Sequence, residues 1–215
     1  MIMFSQEMIW GKKKVDKGSE TAVRAIQGSV TPSQMTVETI DNHIYFYADI
    51  DSDRGLALMR TLRELDHRLR AEQLSRYLGD APVTPIWLHL YSFGGDLFTG
   101  FSLADQLMMI KSPVYAVIEG ICASAATLLA LSCTRRYILP SSVMLVHQLS
   151  SFAYGTHEQF KDEMLLQKLL MEKLVSFYGE RTRLTGDEIQ KMLTRDFWMD
   201  AETCVKLGFA DEILR

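Results

Sequence analysis

The chain has 215 residues, 47% of them hydrophobic and 23% charged, and its 27 acidic and 23 basic side chains leave a net charge of −4. That suits one globular unit with a sizeable core and excludes fibrous, collagen-like and disordered chains, and the mild acidity argues against a general affinity for nucleic acid or for an anionic membrane. No uncharged apolar run reaches the length of a membrane span, the longest being Ile121–Cys133. Lys12, Lys13 and Lys14 follow the apolar start instead of preceding it, so no secretory leader is expected. The three cysteines, Cys122, Cys133 and Cys204, are odd in number and lack zinc spacing. The apolar neighbours of Cys122 and Cys133 point to buried reduced thiols and a cytoplasmic compartment.

Residues 1–42 have mixed polarity and read as an N-terminal arm with a short strand around Met35–Ile40. The aromatic and β-branched run from Ile44 to Ile50 predicts a strand. Leu58, Leu62, Leu65 and Leu69 recur at helical spacing among charges, predicting an amphipathic helix from Arg54 to about Leu78 that Pro82 closes. A strand Ile86–Leu90, a Gly-Gly turn and a helix from Phe98 to Ile110 follow. Val114–Ile118 reads as a buried strand and Ala123–Leu131 as a helix of small residues. Tyr137–Leu139 and Val143–Val146 flank a Pro140-Ser141-Ser142 turn. A long helix spans His157–Tyr178, ending near Gly179. Thr185 with Glu188 forms a capping box, Asp200 caps a further helix that Gly208 ends, and Phe209–Leu214 closes as a strand. Strands separated by helices predict an α/β architecture.

Two segments carry chemistry. Between a strand and a helix stands Ser92-Phe93-Gly94-Gly95-Asp96, whose paired glycines let the backbone turn sharply and aim N–H groups outward. The spacing of Gly94, Gly95 and Gly100 is not a dinucleotide fingerprint. The second segment, Gly120–Thr127, sets Ser124 among small residues at the start of a helix, either as a cap or packing residue or as a nucleophile. It lacks the G-x-S-x-G pattern. Of the five histidines, His147 ends an apolar strand, where a base can be held at a strand's edge. Spacing alone does not choose its orienting carboxylate among Asp187, Asp196 and Asp200.

From Ile86 to Leu214 these residues together resemble the proteolytic subunit of the Clp protease, ClpP. The matching pieces are Ser92-Phe93-Gly94-Gly95, Ala123-Ser124, the run from Val143 to Gln148, Arg195-Asp196 and Gly208-Phe209-Ala210-Asp211. The 49-residue interval from His147 to Asp196 and the 29-residue interval from Gly95 to Ser124 follow the family pattern without a gap. Between Ser124 and His147 a small deletion near Ser132–Tyr137 is needed. Phe93 and Leu149 stand where the family has prolines, and Trp87, His89 and Met109 occupy its aromatic partner-docking patch.

The resemblance implies a serine endopeptidase acting on peptides or unfolded proteins without a metal or cofactor, with Ser124 as nucleophile, His147 as general base and Asp196 as orienting carboxylate. It implies an oxyanion hole from the Gly95 and Ala125 amides. It implies the ClpP or crotonase-type α/β fold of stacked short sheets and helices, over residues 43–215, with a projecting handle helix at about 157–178. It further implies a homo-oligomer of two stacked heptameric rings and an AAA+ unfoldase partner. Two other readings share the fold: a catalytically silent ring scaffold or partner of an active paralogue, and an acyl-CoA enzyme using carboxylates such as Asp96 and Glu119.

Overall fold

The computed structural model describes residues 37–75, 83–151 and 154–215. Mixed α/β architecture is what the alternating strands and helices require, and it is what forms. One eight-stranded sheet runs in the order β1 (Val37–Ile40), β2 (His43–Tyr47), β3 (Ile86–Ser92), β4 (Val114–Ala123), β5 (Arg135–Ile138) and β8 (Glu212–Ile213). A side branch leaves β4 through β6 (Val143–Val146) to β7 (Phe197–Met199). The strands β2, β3, β4, β5, β6 and β8 join in parallel, so helices must carry the crossovers. These are α1 (Ser52–Ser75), α2 (Leu97–Met109), α3 (Ala126–Leu131), α4 (His157–Arg181), α5 (Gly186–Met192) and α6 (Ala201–Leu207).

Strand alternation sets the inside and outside of the sheet. In β3, Ile86, Leu88, Leu90 and Ser92 are buried, while Trp87, His89 and Tyr91 face the other side. The buried leucines of α1, Leu58, Leu62, Leu65 and Leu69, are the ones whose spacing predicts the helix. They pack in one core with Ile44, Phe46, Ile118 and Leu128, each such side chain contributing about 1.5–3 kcal/mol of burial. Asp66, on the same buried face, is matched by the Ser112 amide and hydroxyl at 2.7 and 2.8 Å.

The departures from expectation have local causes. The strand expected at Val114–Ile118 continues to Ala123, because Gly120 at φ +71° lets the chain change partners without stopping. Before it, Tyr115–Ile118 pair with β5; after it, Ile121–Ala123 pair with β6. The following helix therefore starts at Ala126 instead of Ala123, since Ala123 is still paired with Leu145. Helix α4 passes Gly179 and ends at Arg181, whose carbonyl accepts from the Arg136 guanidinium at 2.8 Å. The strand expected over Phe209–Leu214 shrinks to Glu212–Ile213, because the Phe209 and Ala210 amides are spent on the Cys204 carbonyl at the end of α6. Pro82 and the expected end of α1 lie outside the described residues, as do residues 1–36. Within the expected arm, β1 pairs antiparallel with β2.

Candidate active site

The C-terminal ends of β3, β4 and β6 meet at one small cleft of about 20 Å³, open to solvent. Gly95, Ser124, Ala125 and His147 all line it, with Leu97, Leu128, Gln148, Leu149, Leu174 and Tyr178 completing the walls. Crevices beyond the carboxyl ends of parallel strands are where α/β sheets bind ligands.

Ser124 is neither a cap nor a helical residue. It occupies the turn between β4 and α3 with φ +54°, a left-handed conformation that is strained for a side-chain-bearing residue by about 1–3 kcal/mol. The cap position of α3 belongs to Ala125, which makes no side-chain capping bond. The Ser124 amide donates to the Leu145 carbonyl at 2.8 Å, so β6 itself helps to hold the turn. Gly94 packs directly behind it: a Cβ there would lie 2.7 Å from Ser124 Cβ and from the Ala123 carbonyl oxygen. The result is a sharp strand-to-helix turn presenting a hydroxyl, without the usual sequence motif for one.

The neighbouring Gly-Gly turn is pinned to the segment after β2. The Ile50 amide donates to the Gly94 carbonyl at 2.7 Å, and the Asp96 amide donates to the Ile50 carbonyl at 2.8 Å. Gly95 lies between them at φ +145°, where a Cβ would overlap the Ile50 carbonyl. Among the described residues, the amides of Gly95 and Ala125 donate no hydrogen bond. Two unspent N–H groups thus border the cleft beside Ser124.

His147 follows β6 directly. Its Nδ1 lies 2.6 Å from the Gln148 carbonyl oxygen. A carbonyl only accepts, so Nδ1 carries a proton, and whenever the ring is neutral its lone pair falls on Nε2. Asp196 precedes β7, and the antiparallel pair Val146↔Phe197 makes His147 and Asp196 the next residues out on adjoining strands. Asp196 is exposed, does not line the cleft, and makes no hydrogen bond to His147 among the described residues. The structure brings Ser124, His147, Gly95 and Ala125 to one cleft and leaves Asp196 one strand-end away. Asp187 stands in the first turn of α5, and Asp200 caps α6 by accepting from the Thr203 amide at 2.9 Å.

The carboxylates of the acyl-CoA reading are committed elsewhere. Asp96 caps α2 by accepting from the Thr99 amide at 2.7 Å. Glu119 bonds His89 Nδ1 at 2.7 Å and the Tyr47 hydroxyl, on the outer face of the sheet. The cysteines offer no competing nucleophile: all three are free and buried. Burial pushes the thiols of Cys133 and Cys204 up to about 12, and Cys122 is raised by the same cause. Among the described residues no group of three acidic, histidine or cysteine side chains is placed to hold a metal ion, and no helix is long and apolar enough to cross a membrane.

Leu128, Leu174 and Tyr178 were not singled out as cleft residues by sequence reasoning. The signal available was the four-residue interval of Leu174 and Tyr178, which puts both on one face of α4.

Comparison with known proteins adds what the cleft alone does not carry. The model of the Clp protease family matches residues 38–215. The ATP-dependent Clp protease proteolytic subunit of Streptococcus mutans is 34% identical over 133 residues, covering 60% of this chain and 68% of that protein. Subunit 1 of the same protease from Chlamydia muridarum is 32% identical over 138 residues, 62% of this chain and 72% of its own length. Subunit 2 from Treponema denticola is 32% identical over 133 residues, covering 61% of this chain and 66% of that protein.

Proposed function

Because the chain belongs to the Clp protease family, we propose that its cleft cuts peptide bonds of unfolded chains or short peptides, with Ser124 as nucleophile, His147 as base and Asp196 as the carboxylate that orients it. The observation that carries this reading is the meeting, in one cleft, of a strained serine, a histidine and two amides that donate no hydrogen bond among the described residues.

The chemistry follows from the positions. Ser124 Oγ attacks the scissile carbonyl carbon while His147 Nε2 takes its proton. Negative charge develops on the carbonyl oxygen, where the Gly95 and Ala125 N–H groups receive it. One such donor is worth about 10²–10³ in rate. Collapse expels the amine, protonated by His147, and water then releases the acyl group by the same steps. The Nδ1–H tautomer this requires is the one His147 already has, although Gln148 rather than Asp196 accepts from it. Engaging Asp196, at the adjoining strand end, requires His147 Nδ1 to leave the Gln148 carbonyl.

That same bond supports a second reading, a ring scaffold whose site is silent. Intact mass after fluorophosphonate treatment separates the two, with wild type beside Ser124→Ala. One adduct on wild type and none on the variant is the expected result. No adduct on an assembled wild type overturns the peptidase reading in favour of the scaffold.

The relatives are named as subunits of an ATP-dependent protease. By that analogy this chain stacks as two heptameric rings in the cytoplasm and receives substrate from an AAA+ unfoldase. The projecting half of α4 supports the assembly: Met164 and Leu165 are 70% and 67% exposed, and Phe160 and Leu169 stand beside them in the open. At the docking positions, Trp87 stacks on Tyr137 with ring centroids 5.5 Å apart, and Met109 is exposed.

A further inference from the structure

Ser124 needs a restraint on its carbonyl side as well as its amide side, because φ +54° is not a conformation the residue keeps by itself. Its carbonyl accepts twice from Thr127, from the amide at 3.0 Å and from the hydroxyl at 2.7 Å. Thr127 Oγ1 also lies 2.8 Å from the Tyr178 hydroxyl. A carbonyl cannot donate, so the single hydroxyl proton of Thr127 goes to Ser124. Tyr178 must then be the donor to Thr127. The order is therefore fixed: Tyr178 O–H to Thr127 O–H to the carbonyl of Ser124.

This chain of hydroxyls is closed to water, Thr127 being 0% and Tyr178 3% exposed. Burial raises the phenol's pKa, which keeps it a donor. The Tyr178 ring is seated against Phe177 and Phe209, with centroids 6.0 and 5.8 Å away. It stands one turn before the end of α4. Thr127 is meanwhile a β-branched residue in a six-residue helix of alanines and leucines, where alanine would serve the helix better. Its hydroxyl is what the position uses.

We infer that Tyr178 and Thr127 are positioning residues for Ser124, a buried latch through which the seating of α4 holds the nucleophile's turn. The inference rests on the reading of Ser124 as nucleophile, and it adds to that site two residues that touch no reacting atom. It predicts that α4 and the nucleophile are energetically coupled although neither His147 nor the two free amides belongs to the path.

The test compares Tyr178→Phe, which deletes one oxygen, Thr127→Val, which keeps the shape, and Thr127→Ser, which keeps the hydroxyl. The rate constant for acylation of Ser124 by a fluorophosphonate should fall about tenfold in the first two, roughly one buried hydrogen bond. The midpoint of the pH profile should hold in all three, since His147 is not altered, and reagent affinity should hold in the two Thr127 variants, since Thr127, unlike Tyr178, does not line the cleft. Thr127→Ser should restore the rate, and Tyr178→Phe with Thr127→Val should be little worse than either alone. Amide exchange over residues 123–129 should quicken in the two slow variants and not in Thr127→Ser. Rates within about twofold of wild type, or unchanged exchange in Tyr178→Phe, overturn the latch. If wild type takes no label, the nucleophile reading fails by itself, and the exchange data still decide whether the latch exists.

Discussion

Gly94 and Gly95 are the site's most demanding residues, and neither carries a side chain. Gly94 has φ +93°, and a Cβ on it would fall 2.7 Å from Ser124 Cβ and 3.1 Å from the Ala125 amide nitrogen. Neither neighbour can give way cheaply, since one is the turn of the proposed nucleophile and the other a proposed oxyanion donor. Gly94→Ala therefore combines backbone strain of about 1–3 kcal/mol with displacement of the cleft. Two measurements check this. The urea midpoint should fall with an unchanged slope, and fluorophosphonate labelling should slow by about tenfold or more. A loss of stability with normal labelling would mean that the turn at Ser124 relaxes independently of Gly94. The contrast with Ser124 is instructive: a serine tolerates φ +54° there because Leu145 holds its amide and Thr127 its carbonyl, whereas the Gly94 position has no room for any side chain.

At the scale of elements, α1 is fastened to the turn before β4 by one buried carboxylate. Burial alone would raise the pKa of Asp66, but the hydroxyl and amide of Ser112, with Arg70 at 3.7 Å, outweigh it and hold the carboxyl below its ordinary range. A depressed folded-state pKa adds stability that is complete above the unfolded value, about 3.9, and is lost as pH falls through the folded one. Asp66→Asn keeps an acceptor for Ser112 and loses the charge, so it should cost about 1 kcal/mol at neutral pH. The gap to wild type, read by denaturant unfolding across pH, should begin to close only below about pH 4. A gap that instead widens as pH falls toward about 5 would mean that burial wins and the pKa is raised. Helices of this kind are legible in sequence because many residues repeat one period: Leu58, Leu62, Leu65 and Leu69 all fall on the buried face. Three-residue β7 has no period to read, and Gly120 looks like a stop although its φ lets β4 continue. The candidate site was legible to the same degree. Ser124, His147 and the Gly-Gly turn are each weak signals, joined only by family resemblance and then by the cleft. Asp196 could not be chosen by spacing, because its nearness to His147 comes from pairing between β6 and the unreadable β7.

At the scale of the molecule, α4 divides into two halves with opposite duties. Leu170, Leu174, Phe177 and Tyr178 are buried in the core, whereas Phe160, Met164, Leu165 and Leu169 are exposed on the N-terminal half. Apolar side chains clustered in this way mark a surface that another molecule covers, and a second copy of the same helix is the occupant the proposed double ring supplies. Leu165→Glu with Leu169→Glu should lower the native mass by dividing the assembly, while the thermal midpoint of the subunit changes little because neither residue belongs to its core. A wild type running near the 24.5 kDa of one subunit would remove the ring altogether, and an unchanged mass in the double variant would move the ring contact off α4. The same helix proposed to meet its copy carries, one turn before its end, the tyrosine bonded to Thr127 behind the turn of the proposed nucleophile. Division of the assembly should therefore also slow fluorophosphonate labelling, whereas Gly94→Ala slows it with the native mass intact. Normal labelling on divided rings would leave assembly and catalysis as separate properties of α4.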